Sequence, residues 1–406
     1  MTRAAPPETD APCPAAPAAV PGARAAGHAG PRPSLVAVRR PLDSIDPATW
    51  DRLAAATPSA TPFSRWAVHR AWWDGYGANA HDETLVVVDP AAPGPSDPVA
   101  IAPLMHRHEV EPDDVVLRTR MRGASHADLT PVSPTAKAVF FGASYHADYA
   151  TVLADPADLP AVAAAIADAL AEPAPDHADP WDAVDLRRLR CGDPAADALA
   201  DAFVKRAEAR GWAVTREQED VCPVLALEEG IDFEAYLGTL GRKERHEIRR
   251  KIRRAEAAGE VRLLRSADPV ADLDAFVDLH QRRWGEDGLF PPTPGGDQSR
   301  LFFRRLFELA GGDDTVQLHF LVIGGRRIAA GVWLDDGASL YFYNAGVDPG
   351  ARELSPGVVL VARSIGGALA AGRRRFDFLR GDEPYKYEWG AVDEPIQRLL
   401  VVRTRS

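Results

Sequence analysis

Cysteine is scarce in this sequence, with three residues in 406: Cys13, Cys191 and Cys222. They lie far apart and form no C-x-x-C pair, the spacing that typically holds zinc or carries out thiol exchange. An odd number of cysteines at such distances is not typical of the disulfide framework of a secreted domain. We therefore predict neither a metal site nor a disulfide-stapled fold.

Long apolar runs are also missing. The best candidate, Ala161–Ala171, contains Asp168 and is much shorter than the about 20 residues of a membrane helix. The N-terminus lacks the apolar core of a signal peptide. These features predict a cytoplasmic protein without a transmembrane segment.

Positive charge is in deficit, because 47 Lys and Arg stand against 59 Asp and Glu, a formal net charge of −12. This balance argues against a protein whose whole surface follows a phosphate backbone, so DNA is not an expected partner. The sequence also has no GxGxxG, no P-loop lysine motif, no HExxH and no GxSxG. Their absence excludes the common fingerprints of dinucleotide, P-loop, zinc-protease and α/β-hydrolase sites.

The sequence does contain enough apolar material for more than one core. Hydrophobic residues make up 46% of it and charged residues 26%, which is ordinary for a globular protein, and the length favours two or three domains. Residues 1–33 are mostly Ala, Pro and Gly and predict a disordered tail. From residue 34 onward strands and helices follow one another, and a similar order begins again after Gly211. The pattern predicts an α+β fold with mixed α/β layers in two related halves, 34–215 and 216–406.

One segment is strongly basic. Residues 242–254 hold eight Lys or Arg and two Glu, a local charge of +6, so the remaining chain carries −18. Ile248 and Ile252 lie one turn apart and predict a helix with one buried face. Arg245 and Arg249 are also four positions apart, so they share a face of the same helix. A solvated helix face is the usual meaning of such a run. The contrast with the acidic remainder favours anion binding, to a nucleotide, a pyrophosphate or an RNA backbone.

A second segment, Arg352–Gly357, precedes an apolar helix. Ser355 is the predicted N-cap and Pro356 the first helical residue. The free amides at a helix N-terminus bind phosphate groups well, although the same motif is more often only a cap.

The third segment follows the predicted strand Phe376–Leu379. It gathers acids, bases and a cation in one short loop, namely Arg380, Asp382, Glu383, Tyr385, Lys386 and Tyr387. Loops at strand ends commonly carry functional sites, but they also collect polar residues without a catalytic role. The pattern alone leaves both interpretations open.

These landmarks give the chain from about residue 34 to 403 a family likeness. It resembles the CelD-like branch of the GNAT acyltransferases, which is similar in turn to the FemABX peptidyltransferases built from two tandem GNAT domains. The resemblance rests on Thr61-Pro-Phe63, Trp72, Ala102-Pro-Leu104, Asp148-Tyr149, Arg245 and Arg249, Phe276, Leu279, Arg283-Trp284, Tyr343-Asn-Ala-Gly346, Ser355-Pro-Gly357 and Phe376-Asp-Phe378 through Trp389-Gly390.

The resemblance implies a GNAT fold, acetyl-CoA or another acyl-CoA as donor without a metal, and transfer to an amine or other nucleophile of a small molecule or a cell-envelope precursor. GNAT proteins hold the CoA pyrophosphate in a Gln/Arg-x-x-Gly-x-Gly/Ala loop, and Arg352-x-x-Ser355-x-Gly357 fits it except for Ser at the first Gly. It further implies that Lys386 lies at the reaction centre. Arg245 or Arg249 would meet acceptor phosphates, with Arg380 and Trp284 also beside the acceptor.

On this basis we expect the active site in the second half, facing a cleft between the halves. Strand amides at Asn344, Ala345 and Gly346 would polarise the thioester carbonyl. Asp382 or Glu383 would act as base, Tyr385 or Tyr387 as proton donor, and Lys386 would stabilise the oxyanion. Two alternatives stay open: a FemABX-like transferase that uses aminoacyl-tRNA, and a non-catalytic GNAT-fold protein in polysaccharide or envelope assembly.

Overall fold

The computed structural model describes residues 34–92, 97–107, 129–133, 135–172, 181–310 and 313–404. The tail predicted for residues 1–33 lies outside these ranges. So does the segment VVLRTRM, residues 115–121, whose composition predicts a strand. The strands are β1 (Val36–Arg39), β2 (Ala80–Asp82), β3 (Leu85–Val88), β4 (Ala100–Ala102), β5 (Leu104–Arg107), β6 (Ala138–Phe141), β7 (Leu153–Ala154), β8 (Ala183–Arg190), β9 (Trp212–Ala226), β10 (Val261–Arg265), β11 (Val316–Ile323), β12 (Arg326–Asp335), β13 (Ser339–Val347), β14 (Arg375–Asp377) and β15 (Val392–Arg403).

The helices come from segments with apolar residues at helical spacing, and several begin with Pro in the first turn. They are α1 (Pro47–Ala56), α2 (Trp66–Tyr76), α3 (Leu159–Ala171), α4 (Pro194–Arg210), α5 (Phe233–Thr239), α6 (Arg242–Ala258), α7 (Leu273–Trp284), α8 (Pro294–Ala310), α9 (Pro356–Ala370) and α10 (Pro384–Tyr387). None of the helices in the described part of the chain has the length and apolar character needed to cross a membrane.

One sheet of eleven strands runs through both halves, in the order β10-β11-β12-β13-β14-β9-β15-β8-β6-β5-β2. A smaller sheet has the order β1-β3-β4-β7. In the large sheet the pairs β13/β14 and β6/β8 are parallel, and the other pairs are antiparallel. Each parallel pair needs a crossover connection, which contains α9 in the second half and α3 in the first. The predicted α+β class with mixed layers is confirmed.

The two halves are joined through β9 and β15. β15 pairs with β9 along twelve positions and with β8, the last strand of the first half, on its other edge. The division predicted at residues 215 and 216 stays a prediction, and it falls inside β9. Arg398 of β15 is buried at this junction, where it forms an ion pair with buried Asp185 of β8 at 2.6 Å.

A core shared by both halves lies under the middle of the sheet. It packs α2 of the first half against α8 of the second, with Trp72, Tyr76, Phe302 and Phe303 among its buried aromatic residues. This packing fixes the loop that follows β6 against β13. The sequence predicts a strand over residues 148–153, but only Leu153–Ala154 is one, because the chain turns at 143–147 and Ala150 N–H bonds to Arg188 C=O instead of joining a ladder.

Candidate active site

The candidate active site lies where β13 and β14, the parallel pair of the second half, come apart. Their pairing covers only Ser339–Tyr341 against Arg375–Asp377. β13 then continues to Val347 while bonded to β12 on its other side. From Phe342 onward its β14-facing edge has no strand partner in the described chain. Backbone N–H groups on such an edge are available to a ligand's oxygen atoms.

The free edge of β13 is backed by α7. The indole N–H of Trp284 donates to the carbonyl oxygen of Ala345 at 3.3 Å. Because N–H and C=O of one strand residue point to the same side, the Ala345 amide also faces the opening. A Cβ at Gly346 would overlap the backbone nitrogen of His280, so only glycine at this position permits α7 to lie this close to β13. The side-chain oxygen of Asn344 is buried without a hydrogen-bond partner among the described residues.

The helix that follows β13 supplies a second set of amides. α9 begins at Pro356 after a turn, Pro349–Leu354, and has 15 residues. Its N-cap is Ser355, as predicted, but the side chain makes no capping bond. Ser355 adopts a left-handed φ of 53°. Glycine adopts this conformation without cost, and glycine is the residue that the GNAT loop pattern described above has at this position.

Two arginines lie beside this N-terminus. The Arg254 guanidinium, from the end of α6, donates to the Ser355 hydroxyl at 2.7 Å. Arg352 is exposed and forms no ion pair within the described ranges. A Cβ at Gly357 would meet no atom within 4 Å, so there is room for a ligand beside the first turn. Two guanidinium groups therefore flank a helix N-terminus that is open to anions.

Lys386 holds the loop that follows β14. Its side chain is 2% exposed, and its ammonium group donates to the carbonyl oxygens of Leu379, Arg380 and Gly381, each at 2.9 Å. An ammonium group has three protons, and these carbonyls take all of them. The expectation that Lys386 stabilises the oxyanion does not fit these contacts, because no proton is left for a substrate oxygen. The carboxylate of Glu383 also lies 2.9 Å from the ammonium.

The two candidate bases differ in their surroundings. Asp382 is 3% exposed, and neither carboxylate oxygen has a hydrogen-bond partner in the described residues. Burial raises the pKa of Asp382, and the negative charges of Glu383 and Asp393 add to the rise, whereas its own backbone amide and the Lys386 ammonium oppose it. Glu383 is partly exposed and lies next to the Lys386 ammonium. A buried carboxylate with a raised pKa and free oxygens is the better proton acceptor, which favours Asp382.

The two tyrosines of α10 also differ. The Tyr387 hydroxyl donates its proton to the Asp393 carboxylate at 2.7 Å, so this proton is not available to a substrate. Tyr385 is 40% exposed, and no hydrogen bond of its hydroxyl is found within the described chain. Burial, and then Glu383, raise the pKa of Tyr385, while the positive charge of Arg283 opposes the shift. Arg283 also lies over the Trp284 ring at 5.2 Å. The end of α7 therefore reaches both β13 and α10.

The first half contacts the base of the opening. Asp148 forms an ion pair with Arg380 at 3.2 Å, and both side chains are mostly buried. The Tyr149 hydroxyl donates to the Asp377 carboxylate at 2.8 Å. Burial raises the pKa of Asp377 to about 6. Arg380 is therefore held by the first half, and its predicted role toward an acceptor stays a prediction.

The predicted acceptor arginines lie on α6, away from the strand opening. Arg249 forms an ion pair with Glu234 at 2.7 Å, and Arg245 donates to the Gly238 carbonyl oxygen at 3.0 Å. Arg253 forms no ion pair within the described ranges and lines a groove between α6 and α9 together with Arg249 and Arg363. The end of α7 thus connects β13 with α10, whereas Arg245 and Arg249 make their contacts with α5.

Sequence reasoning missed three contributors to this site: Arg254, Arg283 and Tyr343. Arg254 belongs to the basic run, but nothing in its spacing predicts the contact with Ser355. Arg283 and Tyr343 are sequence neighbours of predicted site residues. Only the packing of α7 against β13 brings their side chains to the site. The described residues contain no group of three or more His, Cys, Asp or Glu arranged to hold a metal ion.

Two parallel strands that separate beside an open helix N-terminus are the features of an acyltransferase of the GNAT class. Comparison with known proteins supports this class. Residues 242–387 match the family described as "Acetyltransferase (GNAT) domain". The crystal structure of FemX superposes with a TM-score of 0.55 at 11% sequence identity, over 87% of this chain and 96% of FemX. A tandem GNAT protein from the clavulanic acid biosynthesis pathway gives a TM-score of 0.46 at 14% identity, over 92% and 99% of the two chains.

No curated protein matches the chain. Residues 242–387 match a GNAT domain, and the chain as a whole has the fold of FemX. The resemblance predicted from the sequence is thereby confirmed.

Proposed function

We propose that this protein transfers an acyl group, acetyl in the first instance, from acyl-CoA to an amine of a small molecule or a cell-envelope precursor. The observation that carries the proposal is that the unpaired strand edge and the open helix N-terminus follow one another directly along the chain. The unpaired edge of β13 ends at Val347, and the next helix begins nine residues later with an open N-terminus beside Arg352 and Arg254. A thioester joined to a pyrophosphate by an extended arm suits such an arrangement.

The pyrophosphate would lie at the start of α9. The first-turn amides and the helix dipole favour negative charge there, and Arg352 has no competing ion pair among the described residues. Arg254 would exchange the Ser355 hydroxyl for a phosphate oxygen, because charge-assisted bonds to phosphate are stronger than bonds to a neutral hydroxyl. The corresponding turn before α3 of the first half carries Asp155 and Asp158 and no arginine, whereas the turn before α9 carries Arg352 beside its own acidic residues, Asp348 and Glu353.

The thioester would lie along the free edge of β13. The acceptor nitrogen attacks the carbonyl carbon, and the carbonyl oxygen takes up negative charge against the Ala345 amide. Asp382 accepts the proton that the nitrogen loses. The carbon–sulfur bond then breaks, and the CoA thiolate takes a proton from Tyr385, whose hydroxyl is uncommitted in the described chain. Because its pKa is raised and its side chain is 40% exposed, Tyr385 then regains a proton from water, and Asp382 releases its proton to water. Lys386 contributes by holding the loop that carries Asp382 and Tyr385.

Titration calorimetry with acetyl-CoA tests the donor. We expect Arg352→Gln to weaken binding about tenfold to a hundredfold, since a charge-assisted hydrogen bond contributes about 1.5–3 kcal/mol. Arg250→Gln is the matched control, because Arg250 lies on α6 but pairs with Glu247 at 2.8 Å. Release of the CoA thiol in the presence of primary amines, against matched alcohols, tests the acceptor. Absence of acetyl-CoA binding by the unaltered protein would exclude the proposal.

A second donor is favoured by one observation, the row of Arg242, Arg245, Arg249 and Arg253 along one side of α6. At 1.5 Å per residue this row is about 16 Å long, enough to follow several phosphates of an RNA strand. The resemblance to FemABX proteins implies aminoacyl-tRNA for such a role. Transfer from charged tRNA, measured beside transfer from acetyl-CoA, separates the two donors. Binding of neither donor would leave the non-catalytic alternative.

A further inference from the structure

We propose that His146, a residue of the first half, positions the acyl-transfer strand of the second half by holding Tyr343. The consequence for donor binding rests on the proposed function, whereas the consequence for the strand itself does not. Tyr343 immediately precedes Asn344–Val347, the free edge of β13 described above. The first half would then determine the geometry of the donor site.

The contacts form a chain of hydrogen bonds between the halves. The Tyr343 hydroxyl donates to the His146 carbonyl oxygen at 2.9 Å and lies 3.0 Å from His146 Nδ1. His146 Nε2 lies 2.9 Å from the Tyr76 hydroxyl, which lies 2.8 Å from the Ser299 hydroxyl. The Tyr343 proton goes to the carbonyl, so Nδ1 must donate to the Tyr343 oxygen. Nε2 and the hydroxyls of Tyr76 and Ser299 continue the chain of hydrogen bonds as far as α8.

Packing holds both rings in place. The His146 ring is stacked on Phe302, with the centroids 3.9 Å apart and an angle of 11° between the planes. Tyr343 packs edge-on against Phe63, with the ring centroids 5.4 Å apart, and lies tilted by 31° against Phe303 at 5.8 Å. His146 is buried, so neither ring has room for another orientation without displacing this aromatic cluster.

Tyr343 is also the residue at which β13 changes direction. Val332 of β12 pairs with Asn344 and Trp333 pairs with Phe342, so Tyr343 is an extra residue in a bulge. A bulge bends its strand and increases the local twist. Pairing with β14 has ended two residues earlier, at Tyr341. His146 thus holds the one residue at which β13 bends beside the opening.

The test removes the hydroxyl of the partly buried Tyr343 and, in a separate variant, that of the buried Tyr236. Tyr343→Phe keeps the ring and loses both bonds to His146. Tyr236→Phe is the matched control, because its hydroxyl donates to the buried Trp389 carbonyl oxygen at 2.6 Å and does not touch β13. Hydrogen–deuterium exchange without ligand reports on the amides of Asn344–Val347 that bond to β12. We expect their exchange to accelerate about fivefold to tenfold in Tyr343→Phe, the effect of losing one ordinary hydrogen bond, and not in Tyr236→Phe.

Two variants of His146 sharpen the result. His146→Asn retains a donor near the position of Nδ1 and should restore slow exchange in part, whereas His146→Leu should behave as Tyr343→Phe or worse. Acetyl-CoA affinity should fall in the same order. Unchanged exchange at Asn344–Val347 in Tyr343→Phe would overturn the proposal, as would acceleration spread equally to β11. Failure of the unaltered protein to bind acetyl-CoA would count against the proposed function alone, because the exchange measurement still decides the role of His146.

Discussion

Replacing Lys386 by Met tests whether this residue holds the loop after β14 or takes part directly in the chemistry. The change removes the donor to three carbonyl oxygens, of which those of Leu379 and Gly381 are buried. A buried carbonyl left without a donor costs about 1–3 kcal/mol, so the two together predict a loss of about 2–6 kcal/mol in the free energy of unfolding. The methionine side chain fills the space but offers no replacement proton.

Urea denaturation followed by tryptophan fluorescence measures this loss. Lys205→Met is the matched control, because Lys205 is exposed on α4, and its replacement should change stability by less than about 0.5 kcal/mol. Glu383→Gln removes the ion pair but keeps the three carbonyl bonds, and should cost at most about 1 kcal/mol. Unchanged stability in Lys386→Met, together with a 10²–10³-fold loss of turnover, would refute our account and restore the oxyanion role.

Three further results are expected. Burial raises the pKa of Asp377 from 3.8 to about 6, so the folded state binds the extra proton between these values, and stability falls by about 2 kcal/mol as the pH rises from 4 to 6. Asp377→Asn should remove this fall in urea titrations across that range, and an unchanged profile would contradict it. Arg398→Met removes the buried partner of Asp185 and leaves Arg187, whose side chain is partly exposed, as the remaining partner at 3.0 Å. We expect a cost of up to about 3–5 kcal/mol, and the double variant with Asp185→Leu should recover most of it in the same assay. The double variant Arg245→Gln, Arg249→Gln should weaken binding of a phosphate-bearing acceptor and reduce the salt dependence of that binding. A lower melting temperature with unchanged binding would instead show that these residues stabilise the fold.

The order of strands and helices was readable from the sequence because local patterns determine it. Apolar residues at helical spacing predict α6 and α9, and Pro356 after Ser355 marks where α9 begins. Short runs of aliphatic and aromatic residues, separated by Gly-rich turns, predict β11 to β13. The recurrence of this order predicts two related halves, and the resemblance of short motifs predicts the GNAT class. Each of these signals is complete within a few tens of residues.

The structure alone decided which candidates act together, because that depends on contacts between segments far apart in the chain. Lys386 looks like a free cation in the sequence, yet folding brings it under the carbonyls of its own loop. Ser355 reads as a capping residue, but Arg254, about a hundred positions earlier, takes its hydroxyl. The link between His146 and Tyr343 spans 197 positions and has no pattern of its own. Local side-chain periodicity determines the elements, whereas burial and hydrogen-bond geometry at their crossings determine which side chains remain available to a substrate.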